Sequence, residues 1–326
     1  MKIFAVIGDP IEHSLSPLLH NWVFSQLGID AHYSKIRVPE SELNTYIEKI
    51  RKGELAGINV TIPHKTKIMK FVDDVNSRAE LIGAINIIML SNRKIIGNNT
   101  DWYGFVMALK NHKIDVTQKE VILLGAGGVS KGIIFALKQL GAAKIHLFNR
   151  TFKKISQFCD KIIHPHKMSE LEKFILTDSI IINCTSVGMN TGDSLIDAGL
   201  LCKRQTVIDT IYTPLKTELI LDAESIGART MTGLDMFIHQ ALASQELWLG
   251  EAISNRVNFD DLKQYIERYY DKPLDQLVQD HFYRSLGANY TMYNPAETIS
   301  NKHIITSITC KSTPPFISIT ITYGLN

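Results

Sequence analysis

In "GINVTIPHK", Gly57 to Lys65, an apolar run is interrupted by Asn59 and Thr61 and closed by Lys65. The run predicts a short buried strand from Ile58 to Ile62, ended by Pro63, which cannot donate to a ladder. Residues two apart on a strand share a face, so Asn59 and Thr61 point the same way, with Lys65 just beyond. Hydrogen-bonding groups lined up at a strand end beside an ammonium mark a site rather than plain core. A second stretch, "VILLGAGGVSKG", places Gly125, Gly127 and Gly128 after a run of apolar residues and before a helical pattern. Glycines there allow a tight turn and the close approach of a pyrophosphate. The helix N-terminus adds free N–H groups and a favourable dipole. Ser130 stands where the general fingerprint has a further glycine, so a purely structural turn is the alternative; the surrounding strand–turn–helix–strand unit favours a nucleotide. The next strand ends in "LFNRTFKK", with Asn149, Arg150 and Thr151 where an NAD site usually carries a carboxylate. A guanidinium and a hydroxyl suit a 2′-phosphate, so NADP is expected over NAD; the alternative is a solvated surface arginine.

The elements that must position these groups alternate along the chain. "KIFAVIG" reads as a strand running into a Gly-Asp-Pro turn. "SPLLHNWVFSQLG" reads as a helix, with Ser16 placed to cap it, Pro17 in its first turn and Gly28 at its end. "AHYSKIRV" is a strand, "PESELNTYIEKIRKG" a helix, and "HKTKIMKFVDDVNSRAELIG" reads as helical throughout. "AINIIMLSNRKIIGNN" reads as a hairpin around Ser91-Asn92-Arg93, and "TDWYGFVMALKNHKI" as a helix crossing into a second alternating unit. That unit holds the glycine turn, the strand-to-loop segments "DSIIINCTSVGM" and "QTVIDTIY", and helices from about Leu234 to Gly250 and in "NFDDLKQYIERYY". Such alternation predicts an α/β fold with largely parallel sheets covered by helices. From Asp271 onward the character changes. "HIITSITCKSTPPFISITITYGLN" alternates Ile with Thr and Ser around Pro314-Pro315, which predicts a loose hairpin.

A chain of 326 residues is long enough for two domains, and 45% hydrophobic with 21% charged residues is ordinary for a globular protein. A net charge of +2 argues against nucleic acid as a partner. Cys159, Cys184, Cys202 and Cys310 form no C-x-x-C pair, so free thiols in a reducing compartment are expected. The apolar run in "MKIFAVIGDP" is too short for a signal peptide or a membrane span, and a cytoplasmic protein without membrane contact is expected. His13, His20 and His64 have no metal-ligand spacing.

The segments "HSLSPLLHN", "GINVTIPHK", "GAIN", "NNTDWYGF", "GAGGVSKG", "NRT", "NCTSVGM", "YTPLKTELI" and "GLDMFIHQA" together resemble the shikimate dehydrogenases, in order, from about Lys2 to Tyr270. The resemblance implies two α/β domains with the active site in the cleft between them. Residues 1–101 with 236–270 would form a discontinuous substrate-binding domain, and residues 102–235 a Rossmann-type doubly wound NADP domain. Residues 271–326 would be an extension of unassigned role. It implies Lys65 and Asp101 as the catalytic pair. A desolvated lysine can give up a proton to a ketone oxygen while a neighbouring aspartate orients it and shares the proton; the alternative is a structural ion pair. Ser14 and Ser16 would hold the substrate carboxylate. Asn59, Thr61, Asn86 and Gln240 would bind ring hydroxyls, and Tyr212 would lie beside the substrate. Cofactor contacts would come from Gly125, Ala126, Gly127, Gly128, Val129, Asn149, Arg150, Thr151, Thr185, Ser186, Gly188 and Gly233. The implied activity is the reversible reduction of 3-dehydroshikimate to shikimate by NADPH, on the route to aromatic amino acids, in a monomer or homodimer. A quinate/shikimate dehydrogenase is the neighbouring alternative, and a non-catalytic NADP-binding sensor the alternative of another class. Ile87 departs from the family's common threonine after Asn86.

Overall fold

The computed structural model describes residues 1–189, 192–270, 303–313 and 316–325. The chain divides into two compact units, Met1–Asp271 and Lys272–Asn326. In the first unit the chain opens with β1 (Lys2–Gly8), α1 (Ser16–Leu27), β2 (Ala31–Arg37), α2 (Leu43–Arg51) and β3 (Gly57–Val60). It continues through β4 (Asp74–Val75), α3 (Ser77–Ile82), β5 (Ile87–Ser91) and β6 (Lys94–Asn98). These strands form one six-stranded sheet in the order β2-β1-β3-β5-β6-β4. The β1, β2 and β3 pairings are parallel, but β5 runs antiparallel to both β3 and β6. The reversal from β5 to β6 is local: Asn92 and Arg93 adopt φ of 49° and 64°, the left-handed pair that a two-residue hairpin turn requires.

Three local readings of the sequence need correction here. The strand beginning at Gly57 ends at Val60, so Thr61 lies just past it rather than on its face. The segment 64–83 is not one helix. After a short 3-10 turn, Asp73 accepts both N–H groups of the Arg51 fork and the Ile95 N–H, which draws the chain onto the edge of β6 as β4. Asn76 then starts α3 by accepting from Arg78 N–H at 3.1 Å. Ser16 is the first residue of α1 and not its cap; Leu15 precedes it without a side-chain cap, and Ser14 Oγ accepts the Ser16 N–H at 3.3 Å.

The second sheet follows α4 (Asp101–Asn111) and is built from β7 (Glu120–Leu124), α5 (Gly128–Gln139), β8 (Lys144–Asn149), β9 (Ile163–Lys167), β10 (Ile180–Asn183), β11 (Thr206–Asp209), α6 (Glu218–Ser225) and β12 (Arg229–Met231). Its order is β12-β11-β10-β7-β8-β9, and every pairing is parallel. Strand order reverses between β7 and β10, the place where doubly wound sheets bind ligands. The short β9 carries Pro165 at the sheet edge, a position proline tolerates and a sequence pattern hides.

Two last helices, α7 (Gly233–Leu249) and α8 (Phe259–Tyr270), return to α1. Leu15, Leu19 and Val23 of this helix and its entry cluster with Leu234, Phe237, Ile238, Ala241, Leu242, Leu262 and Ile266. Each large aliphatic side chain buried there contributes about 1.5–3 kcal/mol, enough to hold a seam between segments more than two hundred residues apart. Gly104 lets α4 lie close on α7: a Cβ at Gly104 would sit 2.6 Å from Met236 O and 2.8 Å from Gln240 Cβ. In the second unit, β13 (His303–Thr313) and β14 (Phe316–Leu325) pair antiparallel, with a register shift between Ile305 and Ser307. Pro314 and Pro315 lie outside the described residues.

Candidate active site

Lys65 Nζ donates to Asp101 Oδ2 at 2.6 Å, and both side chains are more than nine-tenths buried. Lys65 is held by its backbone, whose carbonyl accepts Ile85 N–H at 2.8 Å. Asp101 opens α4, where the helix dipole favours a carboxylate. Its N–H donates to Asn99 Oδ1 at 3.0 Å, and its Oδ1 accepts from Asn86 Nδ2 at 2.9 Å. The glycine turn leaves room for this pair. A Cβ on Gly128 would lie 3.0 Å from Lys65 Cβ, and one on Gly132, a turn further along α5, 3.3 Å from Asp101 Cβ. Gly128 thus backs Lys65 as well as opening α5.

From Asp101 a buried polar chain runs through the first sheet. Thr100 N–H donates to Asn86 Oδ1 at 2.8 Å, and Thr100 Oγ1 lies 3.1 Å from Ser244 Oγ. Asn59 Nδ2 donates to Asn86 O at 3.0 Å and to Ser244 Oγ at 3.1 Å. Asn59 Oδ1 accepts from Tyr33 Oη at 2.7 Å. Ser14 Oγ donates to Ser16 Oγ at 3.2 Å. Gln240 Oε1 receives Asn86 Nδ2 at 3.2 Å. The structure therefore gathers Asn59, Asn86, Gln240, Lys65 and Asp101 into one network, and pairs Ser14 with Ser16 at the start of α1. Tyr212 stacks on Phe237 with centroids 4.2 Å apart. Thr61 is half-buried and outside this network, its methyl filling the space over Gly8.

Sequence reasoning missed Tyr33, Thr100 and Ser244. Thr100 lies inside the quoted "NNTD" segment, and Ser244 follows Gln240 by four residues, which puts both on one helix face. Tyr33 had no local signal. His20 and His64 are buried, and His20 stacks on Tyr33 at 4.1 Å. Among the described residues no cluster of His, Cys, Asp or Glu could hold a metal, and Cys159, Cys184 and Cys202 are free.

The second sheet presents its cofactor candidates at the carboxyl ends of its strands. Gly125 adopts φ of +104° where the loops after β7 and β10 meet, and a Cβ there would lie 2.9 Å from Cys184 O. At Gly127 a Cβ would meet nothing within 4 Å, and α5 begins without a side-chain cap or an acidic residue in its first turn. Open space over uncapped N–H groups fits a pyrophosphate. Ala126 and Val129 pack onto the core below. Arg150 and Thr151 are exposed after β8, and Asn149 Nδ2 shapes this turn by donating to Thr151 O at 3.0 Å. After β10, Thr185 Oγ1 donates to Asn183 Oδ1 at 2.8 Å, Ser186 is exposed, and Gly188 takes φ of +95° against Thr217. Gly233 serves packing: a Cβ there would lie 2.3 Å from Thr210 O.

Comparison with known proteins finds two family models along the chain. One, the shikimate dehydrogenase substrate binding domain, matches residues 6–88; the other, shikimate / quinate 5-dehydrogenase, matches residues 107–191. The NADP(+) shikimate dehydrogenase of Staphylococcus haemolyticus is 38% identical over 249 residues, covering 76% of this chain and 92% of that protein. Among solved structures, the shikimate dehydrogenase of Aquifex aeolicus superposes with a TM-score of 0.73 at 32% identity, over 82% of this chain and 97% of that one. The Thermus thermophilus shikimate 5-dehydrogenase, solved with NADP(H) and shikimate, gives 0.72 at 28% identity over 82% and 99%.

Proposed function

The chain belongs to the shikimate dehydrogenase family, and from that membership we propose how its residues carry out the reaction. It is an NADP-dependent oxidoreductase acting on the CH–OH group of shikimate, interconverting shikimate and 3-dehydroshikimate. When bound, NADP exchanges a hydride with the carbon that bears the reacting oxygen. The 2.6 Å Lys65–Asp101 pair carries the residue assignment. Lys65 Nζ delivers the proton to the ketone oxygen in reduction and takes it back in oxidation. Asp101 fixes that ammonium through Oδ2 and shares its proton, while Asn86 holds Oδ1. Burial of both groups keeps water from competing.

Ser14 and Ser16 hold the substrate carboxylate through their hydroxyls at the start of α1. Asn59, Thr61, Asn86 and Gln240 face the ring hydroxyls, and Tyr212 lies beside them. Gly125 to Val129 seat the pyrophosphate, Arg150 and Thr151 the 2′-phosphate, and Thr185, Ser186 and Gly188 border the nicotinamide. Residues 1–101 with 236–270 act as the substrate domain and 102–235 as the cofactor domain, supported by the two sheets and by the return of α7 and α8 to α1. No helix among the described residues is long and apolar enough to cross a membrane. Free thiols at Cys159, Cys184 and Cys202 support a reducing, cytoplasmic compartment; the proposed state there is a monomer or homodimer. The intact proton-handling pair disfavours the sensor reading. The test is nicotinamide absorbance with NADP or NAD, and shikimate or quinate, in wild type and Lys65→Ala. We expect NADP-linked turnover of shikimate, lost in Lys65→Ala with NADP binding retained. Surviving turnover in that variant removes Lys65 from the mechanism, and preferred turnover of quinate with NAD reassigns the substrate and cofactor.

A further inference from the structure

Asn59 is the most constrained group in the pocket, and its constraints have a direction. Its Nδ2 faces Asn86 O, a backbone carbonyl that can only accept. That partner fixes which end of the amide is nitrogen, and so Oδ1 faces Tyr33. Ser244 Oγ takes the second Nδ2 hydrogen, since it lies 3.1 Å away and spends its own proton on Gln240 O at 2.9 Å. Both amide hydrogens are thereby used. Tyr33 must donate to Oδ1, which leaves Asn59 one free lone pair and no free donor.

Tyr33 is itself held from three sides. Asn21 clasps its backbone twice, accepting its N–H and donating to its carbonyl, each at 2.8 Å. His20 stacks on its ring at 4.1 Å and 10°. Gln245 Nε2 donates to His20 Nδ1 at 2.8 Å and so fixes the stacked ring. Tyr33 is buried, with its hydroxyl turned to Asn59 and spent on Oδ1 at 2.7 Å.

We infer that Tyr33, with Ser244, is a positioning residue that fixes Asn59 as a pure hydrogen-bond acceptor, so the pocket selects a substrate whose hydroxyl donates at that point. This rests on the reading of the site as a shikimate pocket and specifies its chemistry further. Tyr33→Phe keeps the ring and its stack but removes the donor to Oδ1, leaving the amide held on its nitrogen side alone. One neutral hydrogen bond lost in this way corresponds to about a five- to tenfold change.

The experiment is a double-mutant cycle between Tyr33→Phe and Asn59→Ala, measuring kcat and both KM values, with thermal melts as a control on folding. Tyr33→Phe raises the shikimate KM by about five- to tenfold while the NADP KM holds and kcat changes little. In the Asn59→Ala background the same substitution has little further effect. Ser244→Ala, which releases the other end of the amide, shifts the shikimate KM in the same direction. An unchanged shikimate KM in Tyr33→Phe overturns the inference. So does a full multiplicative effect in the double variant, or an equal rise in the NADP KM. Wild type is assayed alongside: absence of NADP-linked shikimate turnover there overturns the functional reading itself, whereas an active wild type with silent variants overturns the positioning role alone.

Discussion

Gly127 and Gly128 are neighbours in the phosphate turn, yet a methyl group added to each meets different surroundings. At Gly127 the Cβ has open space and the backbone, φ −80° and ψ −171°, suits alanine. At Gly128 it lies 3.0 Å from Lys65 Cβ and 3.1 Å from Cδ. Carbon atoms settle at about 3.5–4.0 Å, so Lys65 must retreat by roughly half an ångström. Its Cβ cannot rotate away, because the backbone is tied through the Lys65 carbonyl to Ile85 N–H. A misplacement of about 1 Å can cost about a hundredfold in rate, so half of that is about tenfold, or about 1.4 kcal/mol on the barrier. Gly128→Ala should therefore lower kcat about tenfold at saturating substrates. Gly127→Ala should spare kcat and raise the NADP KM, since its methyl stands where the pyrophosphate approaches. Steady-state kinetics with both substrates varied separate the two. If both variants raise only the NADP KM, Gly128 has no part in placing Lys65 and the steric argument fails.

Gly104→Ala drives a Cβ to 2.6 Å from Met236 O, a backbone atom that cannot step aside. Overpacking of about 1–3 kcal/mol should lower Tm by several degrees, and a melt within a degree of wild type would sink the claim that α4 and α7 need glycine there. Burial holds the His20 pKa down at about 3, whereas the unfolded chain titrates near 6.5. The folded state binds fewer protons between those values, so stability is complete above about pH 6.5 and declines as pH falls toward 3. By pH 5 the loss is about 2 kcal/mol. His20→Phe should flatten the Tm–pH curve between pH 7 and 5, and an unchanged slope would exonerate His20. Arg150→Ala should raise the NADP KM about 10- to 100-fold, the worth of hydrogen bonds to a charged partner, and leave any NAD-linked rate untouched. A parallel loss with both cofactors would show that Arg150 does not read the 2′-phosphate.

What the sequence displayed and what it hid divide along a physical line. The glycine turn, the strand before it and the hairpin at Asn92-Arg93 are local devices, and all can be seen in the letters. The first sheet's edge cannot, because Asp73 and Asn76 act through partners on α2, β6 and α3 that no helical period records. Thr61 falls off its expected strand because β3 stops before the turn at Pro63. Ser16 was legible as polar and at a helix start, but its side chain pairs with Ser14 rather than with the helix end. Ser244 joins Asn59 across 185 residues, a distance at which spacing carries no information.

That long reach bears on how the protein is made. A ribosome delivers β1 to β6 first, yet the buried Asn59 and Thr100 find Ser244 only when α7 emerges. The apolar side of α1 likewise waits for α7 and α8. The second sheet is contiguous and complete at β12, before α7 begins. Vectorial synthesis usually favours the N-terminal part. Here a nascent chain halted before α7 would carry all six strands of the second sheet, still lacking Met236 from its core, beside a pocket without Ser244 and Gln240.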